Sequence, residues 1–339
     1  MPKRSLADQL EQALQAVLER PQGQPVTADK HLDPSLRPLL GIAQDLRQLP
    51  REDFKTRLKI DLQRRMTMAS APKPGTSQQP AKQASSMPSE YHTIAPYMIV
   101  PRAAEFIEFL KSAFSGTERF RVGRPEAPNF IMHAEVIIGD SIIELADANQ
   151  QIPAAPQAIH LYVDEADTTY QRALRAGAKS IYETTDQPWG DRQGAVRDQF
   201  GNIWYIAMPK EWTPAPGQIR SVQPYLHLKD ADKMIGFLQN AFGGEVQGSV
   251  PKSADGKVLH ATVQIGDNTL ELDEAHGEFQ PMPCHLHLHV SDADAMYAQA
   301  IKAGATSIEG PSNKPYGRSA GVKDAFGNSW YMTSPLKAA

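Results

Sequence analysis

The sequence predicts an α+β protein: two tandem repeats, each made of paired β-α-β-β-β modules, behind a small α-helical N-terminal module. Three observations carry this. Short motifs recur in the same order, about 127 residues apart, from Ala95 to the C-terminus. Within each repeat, apolar residues alternate as in strands, switch to helical spacing and switch back, twice over. Between residues 67 and 92 the apolar periodicity stops, and Ala, Ser, Gln, Lys and Pro take over. The chain has 339 residues, and at roughly 100–200 residues per domain that length suits about two domains.

Residues 1–66 read as helices. Leu6, Leu10, Leu14 and Leu18 recur every four residues beside Val17, after Ser5 as a cap, and Pro21, Gly23 and Pro25 end the run. A second helix is expected from Asp33-Pro34, with Leu36, Leu39, Leu40 and Leu46 on one side. A third is expected over Arg51 to Met66, with Phe54, Leu58 and Leu62 in line. So small a module has a marginal core of its own. Residues 67–92, with Pro72, Pro74, Pro80 and Pro88, read as a flexible linker, because such composition cannot offset its ordering entropy by burial.

The repeats span 94–210 and 219–336. Pro96-Tyr97 returns as Pro224-Tyr225, His133-Ala134 as His260-Ala261, and Ile138-Gly139-Asp140 as Ile265-Gly266-Asp267. Asp198, Phe200-Gly201-Asn202 and Trp204-Tyr205 return as Asp324, Phe326-Gly327-Asn328 and Trp330-Tyr331. In the first repeat, Tyr97 to Val100 reads as a strand. Phe106, Phe109, Leu110 and Ala113 mark a helix, and the region around Phe120 supplies a strand. Phe130–Ile138 and Ile142–Leu145 form a hairpin about Gly139-Asp140. A second module follows: strand Ile159–Val163, helix Asp164–Ala176 ended by Gly177, then short strands closing on Ile203–Ala207.

Composition excludes several classes. A net charge of −4 argues against a basic nucleic-acid face, and the N-terminal basic residues are interspersed with Glu52, Asp53 and Asp61. One cysteine, Cys284, allows neither an internal disulfide nor a thiolate metal cluster. No run approaches the ~18 apolar residues of a membrane span, and Asp8 and Glu11 interrupt any leader-like segment. The expectation is a soluble, cytoplasmic protein.

These residues resemble the vicinal oxygen chelate superfamily of glyoxalase I, bleomycin-resistance proteins and extradiol dioxygenases, and within it the PhnB-like branch. The carriers are His133-Ala134-Glu135, Trp189-Gly190-Asp191-Arg192 and Asp198-Gln199-Phe200-Gly201-Asn202, with their second-copy counterparts, over about residues 94–336. The resemblance implies two domains of the glyoxalase/bleomycin-resistance type, each an open curved barrel of paired modules with a ligand cavity on its concave face. It also implies four metal positions per repeat. These fall on Pro96, Glu144, Ala158 and Tyr205 in the first copy and on Pro224, Glu271, His285 and Tyr331 in the second.

So short a donor set argues against a bound cofactor and confines any divalent metal to the second domain. In His285-Leu286-His287-Leu288-His289 the three imidazoles share one strand face. His285 and His287, with the Glu271 carboxylate, are the candidate metal ligands. The first copy offers only His160 on the matching strand. Glu144 and Glu271, inside apolar strands, are expected to face the cavities with raised proton affinity. Trp189, Tyr205, Tyr316 and Tyr331 are candidate aromatic lining, and Arg192 and Arg318 candidate anchors for an anion. His133 and His260 read either as cavity groups or as hydrogen-bonded structural histidines. Cys284 points to the opposite face from His285, as a small buried hydrophobe. Trp204 and Trp330 read as core, and Asp198 and Asp324 as turn residues.

Three functions compete. The favoured one is a small-molecule-binding protein that sequesters or senses an aromatic or anionic ligand. The alternatives are a divalent-metal-dependent lyase, isomerase or dioxygenase-like enzyme with its site in the second domain, and a ligand-sensing regulator whose N-terminal helices dock a protein partner.

Overall fold

The computed structural model describes residues 91–124, 127–210 and 220–336, so the helices expected within 1–66 and the linker as far as residue 90 lie outside the described residues. Each module has the expected order. The first runs β1 (Ile94–Val100), α1 (Ala103–Phe114), β2 (Thr117–Arg124), β3 (Ala127–Ile138) and β4 (Ser141–Asp147). The second runs β5 (Ala158–Tyr162), α2 (Ala166–Arg175), β6 (Lys179–Asp186), β7 (Asp191–Arg197) and β8 (Ile203–Pro209). The second repeat gives β9 (Val222–Leu228), α3 (Ala231–Phe242), β10 (Glu245–Gln247), β11 (Ala261–Ile265) and β12 (Asn268–Glu274). It ends with β13 (His285–His289), α4 (Ala293–Lys302), β14 (Thr306–Lys314), β15 (Gly317–Lys323) and β16 (Ser329–Ser334).

Strand pairing departs from the expectation of one barrel per repeat. One eight-stranded sheet has the order β14-β15-β16-β13-β1-β4-β3-β2, the other β10-β11-β12-β9-β5-β8-β7-β6. Each sheet therefore joins the first module of one repeat to the second module of the other, through the antiparallel pairs β1–β13 and β5–β9. The hydrophobic cores still follow the repeats. Phe106, Phe109 and Phe114 of α1 pack with α2 and with Trp204 of β8, while Phe237 and Phe242 of α3 pack around Trp330. Both tryptophans are fully buried, as expected. Each repeat is a core of helices between two sheet backs, and the concave faces are shared.

Two hairpin turns lock the exchange. Asp140 accepts the backbone N–H of Ser221 (2.8 Å) and faces Arg220. Asp267 accepts the backbone and hydroxyl of Thr93 (both 2.7 Å) and pairs with His92 and Arg220. The turn of each repeat thus grips the start of the other. Gly139 and Gly266 have φ near +60°, and a Cβ there would stand 2.0 Å from Ser221 Oγ and 2.2 Å from Thr93 Oγ1. Only glycine supplies both that dihedral and that close approach.

Helix starts are tied to strand ends. Asp147, closing β4, accepts the N–H groups of Ala103 and Ile131 at 2.7 Å, and Glu274 accepts those of Asp230 and Ala231. These carboxylates meet the unpaired donors and positive dipole of a helix N-terminus. Cys284 is buried in the core, where burial pushes its thiol up, so it is inert as expected.

Candidate functional site

The first sheet curves around a cavity of about 1350 Å³. Glu144 of β4 is 1% exposed. Two strands away, His287 Nδ1 lies 2.7 and 3.0 Å from its carboxylate oxygens and His289 Nε2 lies 2.9 Å from one of them. One ligand atom from each of the three residues falls within 4.8 Å of the others. The alternation His-Leu-His-Leu-His turns all three imidazoles of β13 to the cavity and the leucines to the core. His287 also meets Thr333 Oγ1 at 2.8 Å through Nε2. His285 lies two residues short of the cluster, stacked near Tyr331 with its Nδ1 buried and without a partner; burial, with Lys323, lowers its proton affinity.

Around this cluster the walls are aromatic. Tyr91 stands over His289, and Tyr97 donates its hydroxyl to His133 Nδ1 at 3.1 Å. His133 sits 3.5 Å from Glu135, which also accepts Tyr91 (2.7 Å) and Arg119 (3.0 Å). The mouth carries Phe120, Met132, Ile152 and Tyr316, all substantially exposed, Tyr316 at 68%.

The second sheet repeats the carboxylate–imidazole theme with different partners. His160 Nδ1 is 2.8 Å from Glu271, and His260 Nε2 is 3.2 Å from it. Beside them His227 bridges Asp273 (2.7 Å) and the Tyr205 hydroxyl (3.0 Å), while Tyr225 donates to Asp273.

The expected raised proton affinity of the two glutamates is reversed. Burial pushes both carboxyls up, but the adjoining imidazoles outweigh it. His287 and His289 hold Glu144 below the ordinary range, and His160 and His260 hold Glu271 at about 2. Burial lowers His260, yet its bond to Glu271 raises it overall. A depressed carboxyl stabilises the fold above its unfolded value, near 4.5, and that stability is lost as pH falls toward 2. A raised histidine contributes below about 6.5 and loses its contribution above. The His260–Glu271 bond is therefore worth most between about pH 4.5 and 6.5. Urea midpoints should fall on acidification below pH 4.5, and Glu271→Gln should flatten that acid limb. An unchanged limb would show that Glu271 is not the titrating group.

Because strands exchange between repeats, the expected metal set does not assemble. Glu271 lies in the second sheet with His160, away from His285 and His287, whose carboxylate neighbour is Glu144 of the other repeat. On β1 the cavity-facing residues are Tyr97 and Ile99 rather than Pro96, since Tyr97 is the register partner of Glu144; by the same register Tyr225, not Pro224, pairs with Glu271. Tyr316 and Tyr331 line the first cavity as expected, whereas Tyr205 belongs to the second sheet. Trp189 is 59% exposed beside that sheet. Neither arginine is an anion anchor: Asp167 and Asp186 take Arg192, and Asp294 and Asn313 take Arg318. Tyr97 and His289 escaped the candidate set, although the alternation of β13 already put His289 on the right face.

A family model described as the Glyoxalase/Bleomycin resistance protein/Dioxygenase superfamily matches residues 91–206 and 222–332. An uncharacterized protein of Mycobacterium bovis is 34% identical over 127 residues, covering 34% of this chain and 82% of that protein. A Mycobacterium tuberculosis protein, also uncharacterized, matches equally over 74% of its length. Glyoxalase I from Zea mays superposes with a TM-score of 0.55 at 14% identity, over 71% of this chain and 92% of that one, a likeness of fold. Two matched repeats, each of two β-α-β-β-β modules around concave sheets, place this chain in the glyoxalase/bleomycin resistance protein/dioxygenase superfamily.

Proposed function

We propose that this protein binds a small aromatic ligand in the cavity of the first sheet. The supporting observation is the cavity itself, about 1350 Å³, with exposed Phe120, Met132, Ile152 and Tyr316 at its mouth and the Glu144–His287–His289 cluster inside. Pockets that are mostly apolar with a few convergent polar groups suit small ligands. Tyr97, whose hydroxyl burial keeps protonated, and Tyr331 are positioned to donate hydrogen bonds to an anionic or carbonyl oxygen. Sequestration or sensing, in the manner of the PhnB-like branch, and a cytoplasmic location complete the reading. Native mass spectrometry of protein from its own host tests it. A co-purifying aromatic compound, lost when Tyr97 and Tyr331 are replaced by alanine, is the expected result. Protein free of any small molecule and inert to an aromatic panel would overturn it.

A second reading rests on the donor cluster alone. Two imidazoles and a carboxylate suit a borderline divalent cation such as Zn²⁺, Ni²⁺ or Fe²⁺. Such an ion would displace the protons now on His287 Nδ1 and His289 Nε2, and when bound would polarise a ligand oxygen. The chain's own part is to hold the three donors on paired strands and to line their surroundings with aromatic rings. Of the four family-type positions, the first sheet keeps Glu144 and His285, with tyrosine at the last.

A further inference from the structure

The concave face of the second sheet is built like a binding site, yet its own chain fills it. Residues 275–284, which cross from β12 to β13, cover the face. The Phe279 ring lies over His227 at 5.3 Å and 28°, and 6.0 Å from the Tyr205 ring. Phe279 and Met282 pack with Tyr182, Tyr205 and Tyr225. The matching crossover of the first repeat leaves its cavity open, with Ile152 exposed at the mouth.

The cover is lightly fastened. Backbone bonds between His276 and Phe279 close a turn through Gly277, Met282 N–H reaches His227 O at 3.3 Å, and Glu278 stands 3.9 Å from Arg197 on the surface. Beneath it one buried group is unsatisfied. His160 is 5% exposed, and its Nδ1–H donates to the Glu271 carboxylate. That leaves Nε2 as an acceptor, and it has no partner among the described residues. The equivalent nitrogen of the first sheet, His287 Nε2, meets Thr333; the corresponding position here is Ala207, which has no hydroxyl. An unpaired buried acceptor is costly, and native structures seldom leave one without a reason.

We propose that the second sheet holds a second ligand site, for a small hydroxylated aromatic compound, and that Phe279 occupies it in this conformation. The ligand ring takes the place of the Phe279 ring over His227 and against Tyr205. Its hydroxyl donates to His160 Nε2, as Thr333 does to His287. A neutral donor fits because Glu271 and Asp273 already bond the imidazoles, and no Lys or Arg is among these contacts. Exchanging one ring for another keeps the apolar surface covered, so the cover moves without exposing a bare core.

The test is titration calorimetry of the full chain with 4-methylphenol. Phe279→Ala leaves a phenyl-sized apolar space of the kind that takes up small aromatics. It should bind one more equivalent of 4-methylphenol than the unmodified chain, and about 10-fold more tightly than it binds toluene, which lacks the hydroxyl. Phe279→Leu, which keeps the space filled, should gain no equivalent. An unchanged stoichiometry in a Phe279→Ala chain with an unaltered circular dichroism spectrum overturns the site. Equal affinity for toluene overturns the role of His160. Should Phe279→Ala fail to fold, hydrogen exchange in the unmodified chain decides. Faster exchange of the Phe279 and Met282 amides at saturating 4-methylphenol supports displacement of the cover, and unchanged exchange overturns it.

Discussion

Glu144→Gln should abolish tight Zn²⁺ binding while leaving the fold intact. The side chain is buried in β4 between Ile143 and Leu145 and receives both His287 and His289. Glutamine keeps the shape and one acceptor oxygen, so the histidines retain a partner, but the negative charge disappears. A neutral amide is a poor ligand for a borderline cation, and losing one of three donors should weaken apparent affinity at least ~100-fold, about 2.8 kcal/mol. Competition with a chromophoric chelator reads this directly. His287→Ala and His289→Ala should behave alike, whereas His285→Ala should bind Zn²⁺ almost as the parent does, because His285 is outside the cluster. Full Zn²⁺ affinity in Glu144→Gln, or its loss in His285→Ala alone, would move the centre elsewhere. Glu144→Ala is a harsher variant. It strands two half-buried imidazoles without their acceptor, so its stability falls along with its binding.

His285 carries the lesson about what the sequence made legible. The repeat, the element order, the inward face of β13 and the structural roles of Trp204, Trp330, Asp198 and Asp324 all follow from local spacing. Local spacing is what fixes a module. The partner of each module is different. β5 and β13 are both short strands of the same register and burial, so alternation alone allows β1 to pair with either. Pairing within a repeat would bring His160 to Glu144, and pairing between repeats brings His287 and His289 there instead. The choice rests on tertiary contacts, chiefly the grip of Asp140 on Ser221 and of Asp267 on Thr93. Those residues did carry a signal, since the Gly-Asp turn is identical in both copies, but a hairpin explains it fully at the local level. Similarly, Glu144 in an apolar strand suggests a raised carboxyl only while its imidazole neighbours are unknown.

Asp198→Ala should be the most destabilising single substitution among the turn residues, at about 3–5 kcal/mol. Its carboxylate accepts four bonds: Oδ1 from the backbone N–H groups of Phe200 and Asn202, Oδ2 from the Asn202 amide and the Trp204 indole, each at 2.9 Å. Trp204 and Asn202 are fully buried, so alanine leaves their donors without an acceptor, at roughly 1–3 kcal/mol apiece before relaxation. The damage should reach the first cavity. Asn202 Oδ1 accepts the Gln157 N–H at 3.0 Å, and the Gln157 side-chain amide donates to the backbone carbonyls of Tyr97 (2.6 Å) and His285 (3.3 Å). A turn on the second sheet thereby steadies the two strands, β1 and β13, that meet in the first. Thermal unfolding should show a drop of about 10 °C for a folded unit of this size. Asp198→Asn should recover only part of it, because an amide presents a donor where the Trp204 and Asn202 donors already point. Asp324 repeats the arrangement with Asn328 and Trp330, but there Asn328 holds the Cys284 N–H instead of a glutamine bridge. Asp324→Ala should therefore cost similar stability and disturb the start of β13 directly. If Asp198→Ala shifted the urea midpoint by less than 1 kcal/mol equivalent, the four-bond turn would not be the anchor the geometry makes it.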